Sequence, residues 1–171
     1  SLYQYAYENR IKYYDGWLSR LLCEILMGID IETNTKAREL INIRHGFDPE
    51  DFLIIFFGAY TYSPNLKAFE LIFSEISTRM QSADFNYRFL ICGSGLPEHY
   101  FYDERLAERH IHYLGFVDNI DEYILASQVM LNPINTGGGV KTKAIDSIAL
   151  GKTVVSSTSG ARGIVREPCG E

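Results

Sequence analysis

Residues 129–155 read VMLNPINTGGGVKTKAIDSIALGKTVV, and this stretch indicates the fold class. An apolar run leads into three consecutive glycines. A helical pattern with Ile145 and Ile148 on one face follows, and it ends at Gly151 before a β-branched run. This order predicts a strand, a glycine loop, a helix over 141–150 and a second strand. We therefore expect an α/β unit whose glycine loop lies at the carboxyl end of a strand.

The glycine loop itself predicts an anion site. Gly137, Gly138 and Gly139 let backbone N–H groups approach a ligand without a Cβ in the way, at the positive end of a helix dipole. Lys141 and Lys143 fall in the first turn of the predicted helix, where the dipole disfavours each cation by about 0.3–1 kcal/mol. A phosphate bound between the lysines and the N–H groups would remove that conflict.

The rest of the chain repeats the alternation of strands and helices. The predicted strands are 52–57, 87–92, 111–114, 129–132 and 153–156, and the predicted helices are 63–80, 98–108, 118–127 and 141–150. Ser63 reads as the N-cap of the first of these helices because Pro64 follows it. The alternation favours a doubly wound, mostly parallel, Rossmann-like α/β sheet, whose ligands bind at the carboxyl ends of strands.

The N-terminal region has a different pattern. We assign residues 1–45 to a helical segment or linker and residues 46–171 to the ligand-binding domain. A heptad-like seam lies in the first segment and consists of Tyr7, Ile11, Tyr14, Leu18, Leu21 and Ile25. Since the seam is short, a helix packed on its own domain or on a neighbouring one is favoured over a dedicated partner helix.

Bulk properties narrow the class of protein. With 171 residues, 46% of them hydrophobic, the chain has the composition of a globular domain, and its net charge of −6 argues against a nucleic-acid surface. No apolar run is long enough for a transmembrane segment. Three widely spaced cysteines suit a reducing compartment. Because the sequence begins with Ser1, we expect a fragment of a longer protein. We expect that protein to be cytoplasmic, either free or peripheral to the inner face of the membrane.

Three weaker motifs carry less information. Gly151 before a lysine and a threonine links a helix to a strand, so it reads as a helix C-cap and not as a Walker A loop. Gly93 and Gly95 could begin a dinucleotide fingerprint, but a tight turn beside another ligand is favoured. His110 and His112 have no third ligand at a suitable spacing, which argues against a metal site.

Asp146 has two readings. It lies three residues after Lys143, so the two side chains could form a surface ion pair. Its carboxylate could instead accept hydrogen bonds from the two vicinal hydroxyls of a ribose. The second reading is favoured because Asp146 lies one turn inside the helix that follows the glycine loop.

Three stretches resemble a known family. They are FGAYTYSPN at 57–65, YLGFV at 113–117, and the longer order of Gly-Gly-Gly, Lys-x-Lys, acidic residue and Val-Val-Ser-Ser within 137–163. Together they are similar to the C-terminal, donor-binding half of GT-B-fold glycosyltransferases of the group-1, family-4 type. The resemblance covers about residues 50–166, and the last stretch is the most specific of the three.

The resemblance implies roles for individual residues. Gly58 and Ala59 would border the donor's phosphates. Phe116 and Val117 would hold the base through backbone contacts.

The remaining implied roles fall on the glycine-loop segment. Gly138 and Gly139 would face the diphosphate and the transferred sugar. Lys141 would take the place of a basic residue, and Asp146 that of a glutamate that binds the ribose.

The chain also departs from the family pattern. Gly138 stands where many members have a first glutamate, and Ala59 and Asn65 stand where many have an arginine and a lysine. The phosphate charge would then be met by Lys141, with Lys143 or Lys67 as further candidates. Arg162 stands where related sequences often have glutamate.

The family implies a retaining transfer of a sugar from a UDP-, GDP- or ADP-sugar, with no metal and no other cofactor. The acceptor, a glycan or a lipid-linked molecule, would bind to an N-terminal domain that this chain lacks, so we expect the fragment to be inactive alone. A non-catalytic Rossmann-like module that binds another phosphorylated ligand or a partner is the alternative.

Overall fold

The computed structural model describes residues 31–139 and 141–164, and its sheet is built around the strand Phe52–Phe57. The four inner residues of this FLIIFF strand are buried. A strand of a parallel sheet is covered by helices on both faces, so an unbroken apolar run is favoured over alternation. The sequence of this strand therefore fits a central position in the sheet.

Five strands and several helices follow one another along the described chain. The strands are β1 (Phe52–Phe57), β2 (Tyr87–Cys92), β3 (Ile111–Gly115), β4 (Val129–Asn132) and β5 (Thr153–Ser156). The α-helices are α1 (Ile31–His45), α2 (Ser63–Leu71), α3 (Ser77–Met80), α4 (Arg105–Glu108), α5 (Ile120–Ala126), α6 (Thr142–Ala149) and α7 (Thr158–Ala161). A π-helical turn, Ile72–Ile76, joins α2 to α3, and Glu98–Tyr100 forms a 3-10 turn.

The strand order explains where a ligand can bind. The sheet has the order β3-β2-β1-β4-β5, and all the pairs are parallel. This confirms the predicted doubly wound α/β fold. The chain moves outward from β1 to β3 and then returns to the other side of β1 with β4. The topological switch point, where such sheets bind ligands, therefore lies between the carboxyl ends of β1 and β4.

Each face of the sheet has its own core. On one face α2 and the π-helical turn that follows it pack on the sheet through Phe69 and Ile72, which are fully buried. On the other face α1 and α5 contribute Ile41 and Ile124. Helix α1 thus packs against the domain, although it lies before residue 46. Residues 1–30, which include the heptad-like seam, lie outside the described part of the chain, so the seam and the assignment of residues 1–45 to a separate segment remain predictions.

One helix start differs from the prediction. Ser63 is the first helical residue, and Tyr62 is the N-cap with an extended backbone and no side-chain cap bond. The carbonyl of Tyr62 accepts the backbone N–H groups of Asn65 and Leu66 at 2.9 and 3.2 Å, which begins the helix one residue earlier than the Ser-Pro signal indicates.

Three other helices are shorter than predicted. The prediction of one helix over 98–108 is wrong. The carboxylate of Asp103 accepts the backbone N–H of Arg105 at 3.1 Å, and this contact separates the 3-10 turn from α4. Asn119 and Lys141 have extended backbones, so they are N-caps of α5 and α6 and not helical residues. Gly115 belongs to β3 although it was expected to follow the strand.

Candidate functional site

The loops after β1 and β4 meet at the switch point. A Cβ added to Gly137 would lie 3.0 Å from the hydroxyl of Tyr62 and 3.2 Å from Cγ of Pro64. Gly137 also has a φ of 93°, a backbone conformation that is strained for any residue with a side chain. The contact places the glycine loop directly against the start of α2.

Lys143 connects the two loops. It projects from the first turn of α6, and its Nζ donates to the carbonyl of Phe57 at 2.6 Å and to Oδ1 of Asn65 at 2.7 Å. The same Nζ lies 4.7 Å from the ring centroid of Phe56. The ammonium group therefore lies at the carboxyl end of β1, although the helix that carries it follows β4.

The environment of Lys143 lowers its proton affinity. Burial, and secondly the charge of Lys141, lowers the pKa of Lys143 to about 8. Both hydrogen-bond acceptors are uncharged oxygens, and no carboxylate of the described residues forms an ion pair with it. A partly buried cation without an anionic partner is costly, which makes this a site that an anionic ligand would stabilise.

Lys141 contacts the glycine loop itself. Its Nζ donates to the carbonyls of Gly137 and Gly138, both at 3.1 Å. Because Lys141 is the N-cap of α6, its side chain folds back over the loop that precedes the helix. Lys141 thus contacts the glycine loop, whereas Lys143 contacts the end of β1 and the start of α2 and is the more buried of the two.

Two glycines allow the loops after β1 and β2 to approach closely. A Cβ on Gly58, which has a φ of 146°, would lie 2.9 Å from Nζ of Lys143. A Cβ on Gly93 would overlap the carbonyl oxygen of Gly58. Gly93 therefore serves a tight approach of two loops, in agreement with the tight turn favoured from the sequence over a dinucleotide fingerprint.

The glycine loop is open on its outer side. Gly138 and Gly139 are exposed, and a Cβ on either would meet nothing within 4 Å. Asp146 is also exposed, and it forms no ion pair with Lys143, whose Nζ is bound elsewhere. The surface-pair reading of Asp146 is thus not realised in the structure.

The remaining predicted residues lie further along the carboxyl edge. Phe116 follows β3 and is 75% exposed, whereas Val117 is half-buried against the core that contains α5. Since β3 is two strands from β1, the spacing of strands places their ends about 10 Å apart. Ala59 contributes its carbonyl, which accepts from Nδ2 of Asn65 at 2.9 Å.

The sequence prediction missed two residues of this site. The hydroxyl of Tyr62 faces Gly137, and the amide of Asn65 contacts both Ala59 and Lys143. Tyr62 could have been found from its place in an aromatic loop directly after a buried strand. Asn65 was noted only as a departure from a family pattern.

No helix formed by the described residues has the length and apolarity to cross a bilayer.

Within residues 31–139 and 141–164 no group of three His, Cys, Asp or Glu side chains could hold a metal ion. His112 instead contacts Nη1 of Arg88 through Nε2 at 3.1 Å.

A match to a family model shows which family the chain belongs to. The family model described as glycosyl transferases group 1 matches residues 51–169, which is more than half of the chain. The chain belongs to this family. As a group 1 glycosyltransferase domain it holds its glycine loop and both lysines inside the matched region. A comparison with curated proteins found no significant match.

Solved structures agree with the glycosyltransferase domain in fold. The structure of Alr3699/HepE of Anabaena in complex with UDP and glucose matches with a TM-score of 0.60 and 16% identity, over 81% of this chain and 37% of that one. WaaG, a glycosyltransferase involved in lipopolysaccharide biosynthesis, matches with a TM-score of 0.52 and 17% identity, over 75% of this chain and 34% of that one. The chain thus spans little more than a third of the length of these structures.

Proposed function

We propose that this domain binds the nucleotide-diphosphate sugar donor of a retaining glycosyltransferase, which transfers the sugar to a glycan or lipid-linked acceptor. The observation that carries the proposal is the ammonium group of Lys143, held by uncharged oxygens between the glycine loop and the carboxyl end of β1. Family membership supports the same reading. A diphosphate is the ligand that this charge and the exposed N–H groups of the loop would bind together.

The proposed pose follows the carboxyl edge of the sheet. The diphosphate and the sugar lie against Gly138 and Gly139, with Lys141 and Lys143 on either side. No metal takes part in this pose, because the two lysines and the loop supply the positive potential.

The nucleoside occupies the remaining part of the edge. Asp146 accepts hydrogen bonds from the ribose hydroxyls, and the backbone at Phe116 and Val117 contacts the base. The ends of β1 and β3 are about 10 Å apart, and this distance leaves room for the ribose between the diphosphate at β1 and the base at β3.

The chemistry of the site fits the departure of a nucleoside diphosphate. As the bond between the sugar and the β-phosphate breaks, negative charge grows on that phosphate. Donors and cations fixed before the reaction stabilise the charge without reorganisation, and such electrostatic stabilisation is usually the largest part of catalysis. The lysines would therefore act more strongly in the transition state than in the bound donor.

The acceptor and any further catalytic groups would lie on an N-terminal domain outside this chain, and we expect the chain alone to have little or no transferase activity. In the cell we expect it in the cytoplasm, either free or at the inner face of the membrane through the rest of the enzyme.

Calorimetry with UDP, GDP and ADP, compared with NAD, tests the function. UDP is the first nucleotide to test, because the matched HepE structure holds UDP. We expect one diphosphate nucleotide to bind and NAD to bind less tightly. A preference for NAD, or no binding of any nucleotide, would favour the alternative of a non-catalytic module.

Substituting Lys141→Ala should weaken diphosphate binding about tenfold or more, because a charge-assisted contact contributes roughly 1.5–3 kcal/mol. Binding of the nucleoside alone should be barely affected. The exposed Lys36 on α1 provides a control, since Lys36→Ala removes the same charge elsewhere on the domain. Equal losses for nucleoside and nucleotide would refute the phosphate role of Lys141.

Substituting Asp146→Ala should weaken the nucleoside and its diphosphate by similar factors, because both carry the ribose. Asp146→Asn, which keeps an acceptor oxygen, should retain part of the affinity. Titration calorimetry with both ligands measures the two losses, and an unchanged nucleoside affinity would contradict the ribose assignment.

A further inference from the structure

Asn65 joins three parts of the candidate site. Its side chain is buried, with the residue 7% exposed, in the first turn of α2. Nδ2 donates to the carbonyl of Ala59 at 2.9 Å, and Oδ1 accepts from Nζ of Lys143 at 2.7 Å. One amide therefore links the loop after β1, the start of α2 and the first turn of α6.

The amide group suits this position for an electrostatic reason. An amide oxygen accepts a hydrogen bond from an ammonium group and leaves its charge intact, whereas a carboxylate at the same distance would neutralise it. The amide also has a donor for Ala59, which a carboxylate lacks. Among the described residues, Lys141 is the charged group that acts on Lys143, and it repels the ammonium.

We propose that Asn65 is a positioning residue of the diphosphate site, which holds the Lys143 ammonium at the carboxyl end of β1 and leaves its charge available to the ligand. This inference rests on the proposed function. It assigns to α2 a part in binding that is carried through Lys143 and not by direct contact with the donor.

A titration of Lys143 in the ligand-free chain tests the link itself. In protein with ¹³C-labelled lysine, we expect the Lys143 side chain to titrate at about pH 8. Asn65→Asp should raise this midpoint by about one unit or more, because a carboxylate would lie within contact distance of the ammonium. Asn42→Asp is the matched control: Asn42 is also 7% exposed, but it lies on α1. It should leave the midpoint unchanged.

A double-variant cycle tests the effect on the ligand. Asn65→Ser should weaken binding of the nucleoside diphosphate about fivefold or more in the wild-type chain, and less than about twofold in a Lys143→Met background, because contacts that act through one group are not additive. Binding of the nucleoside alone should change by less than about twofold in both backgrounds. Thermal unfolding of each variant shows that the domain is folded.

The outcomes separate this inference from the proposed function. An unchanged Lys143 midpoint in folded Asn65→Asp, or an equal loss from Asn65→Ser in both backgrounds, would overturn the role of Asn65 alone. If Asn65→Asp does not fold, the Lys143 midpoint is measured in Asn65→Ser instead. Loss of the Oδ1 acceptor should lower the midpoint there, and an unchanged midpoint would overturn the inference. Absence of nucleotide binding by the wild-type chain would overturn the proposed function, and the diphosphate role of Asn65 with it.

Discussion

At the scale of single residues, the contacts of Lys143 make its ammonium group a candidate to bind an anion. Its ammonium donates to Phe57 and Asn65, and it lies over the ring of Phe56. These contacts replace part of the lost hydration but supply no opposite charge, so the protonated form is less favoured than in water. A site with this property gains more from an anionic ligand than an exposed lysine would.

The lowered pKa of Lys143 predicts how binding depends on pH. The group titrates at about 8 in the free chain, and a bound diphosphate would raise that pKa. Affinity should be nearly constant up to pH 7, should be about halved at pH 8, and should fall further above it by up to about tenfold per unit until the pKa of the complex is reached. Calorimetry from pH 7 to 9.5, in buffers of different ionisation enthalpy, should show proton uptake on binding.

Lys143→Arg provides the control for this pH dependence, because an arginine stays charged over the whole range. Its diphosphate affinity should vary with pH only as that of the nucleoside does. A wild-type profile without a decline above pH 8 would contradict the role of Lys143.

Local sequence identified part of this site, and topology was needed for the rest. The glycines and lysines of 137–143 were predicted because the loop and the helix start are encoded by neighbouring residues. The partner of Lys143 could not be predicted in this way, because Asn65 lies 78 residues away and meets it only after β4 pairs with β1.

At the scale of elements, the close approach of two loops fixes the carboxyl edge of β1 and β2. Gly93 has a φ of 126° and packs against the carbonyl of Gly58. Its backbone N–H donates to the carbonyl of Gly115 at 2.6 Å, and the hydroxyl of Tyr113 donates to the carbonyl of Gly93 at 2.9 Å. The loop after β2 is therefore hydrogen-bonded to β3 on one side and packed against the loop after β1 on the other.

Gly93→Ala should destabilise the domain by about 2 kcal/mol or more, since the new methyl overlaps a backbone atom and the conformation is strained. Gly138→Ala is the control, because a Cβ there meets no atom within 4 Å and its φ is not in the left-handed region. That variant should keep its stability within about 1 kcal/mol. Urea unfolding measures both, and equal stabilities would refute the steric argument.

Most of the strands and helices were predicted correctly from the sequence. Four strands were predicted with their observed bounds and β3 to within one residue, because apolar runs bounded by glycines and polar residues are a strong signal. The helix over 98–108 was wrong because its pattern was judged without the side chain of Asp103, which binds the backbone of Arg105 and favours a turn.

At the scale of the whole molecule, the edge of the sheet opposite the candidate site is held by a polar cluster. Asp51 and Arg88 form an ion pair in which the carboxylate is buried. Arg88 also contacts His112, and the ring of Phe47 packs edge-on against that histidine at a centroid distance of 4.9 Å. Burial, followed by the charge of Arg88, lowers the pKa of His112 to about 4.

This cluster predicts that the domain loses stability in mild acid. His112 stays neutral in the folded state down to about pH 4, while in the unfolded chain it binds a proton below about 6.5. The free energy of unfolding should therefore fall as pH drops from 6.5 to 4, by about 1 kcal/mol after allowance for solvent screening of the partly exposed ring. Urea unfolding across this range measures the change.

The comparison with His112→Gln isolates the contribution of this histidine. The variant should lack this part of the pH dependence, whereas His99→Gln, at an exposed position, should keep the wild-type profile. Parallel profiles of wild type and His112→Gln would show that the stability loss has another source.

The pairing of β1 with β4 has a consequence for the motions of the domain. Their register covers two residue pairs, Ile54 with Val129 and Ile55 with Met130, whereas β1 and β2 share six. Local opening along this short junction would release β4, α6 and β5 as a unit at a lower free energy than global unfolding. A donor that contacts both sides of the junction binds only the closed form, so it would slow amide hydrogen exchange in β4 and make the two parts of the sheet move as one body.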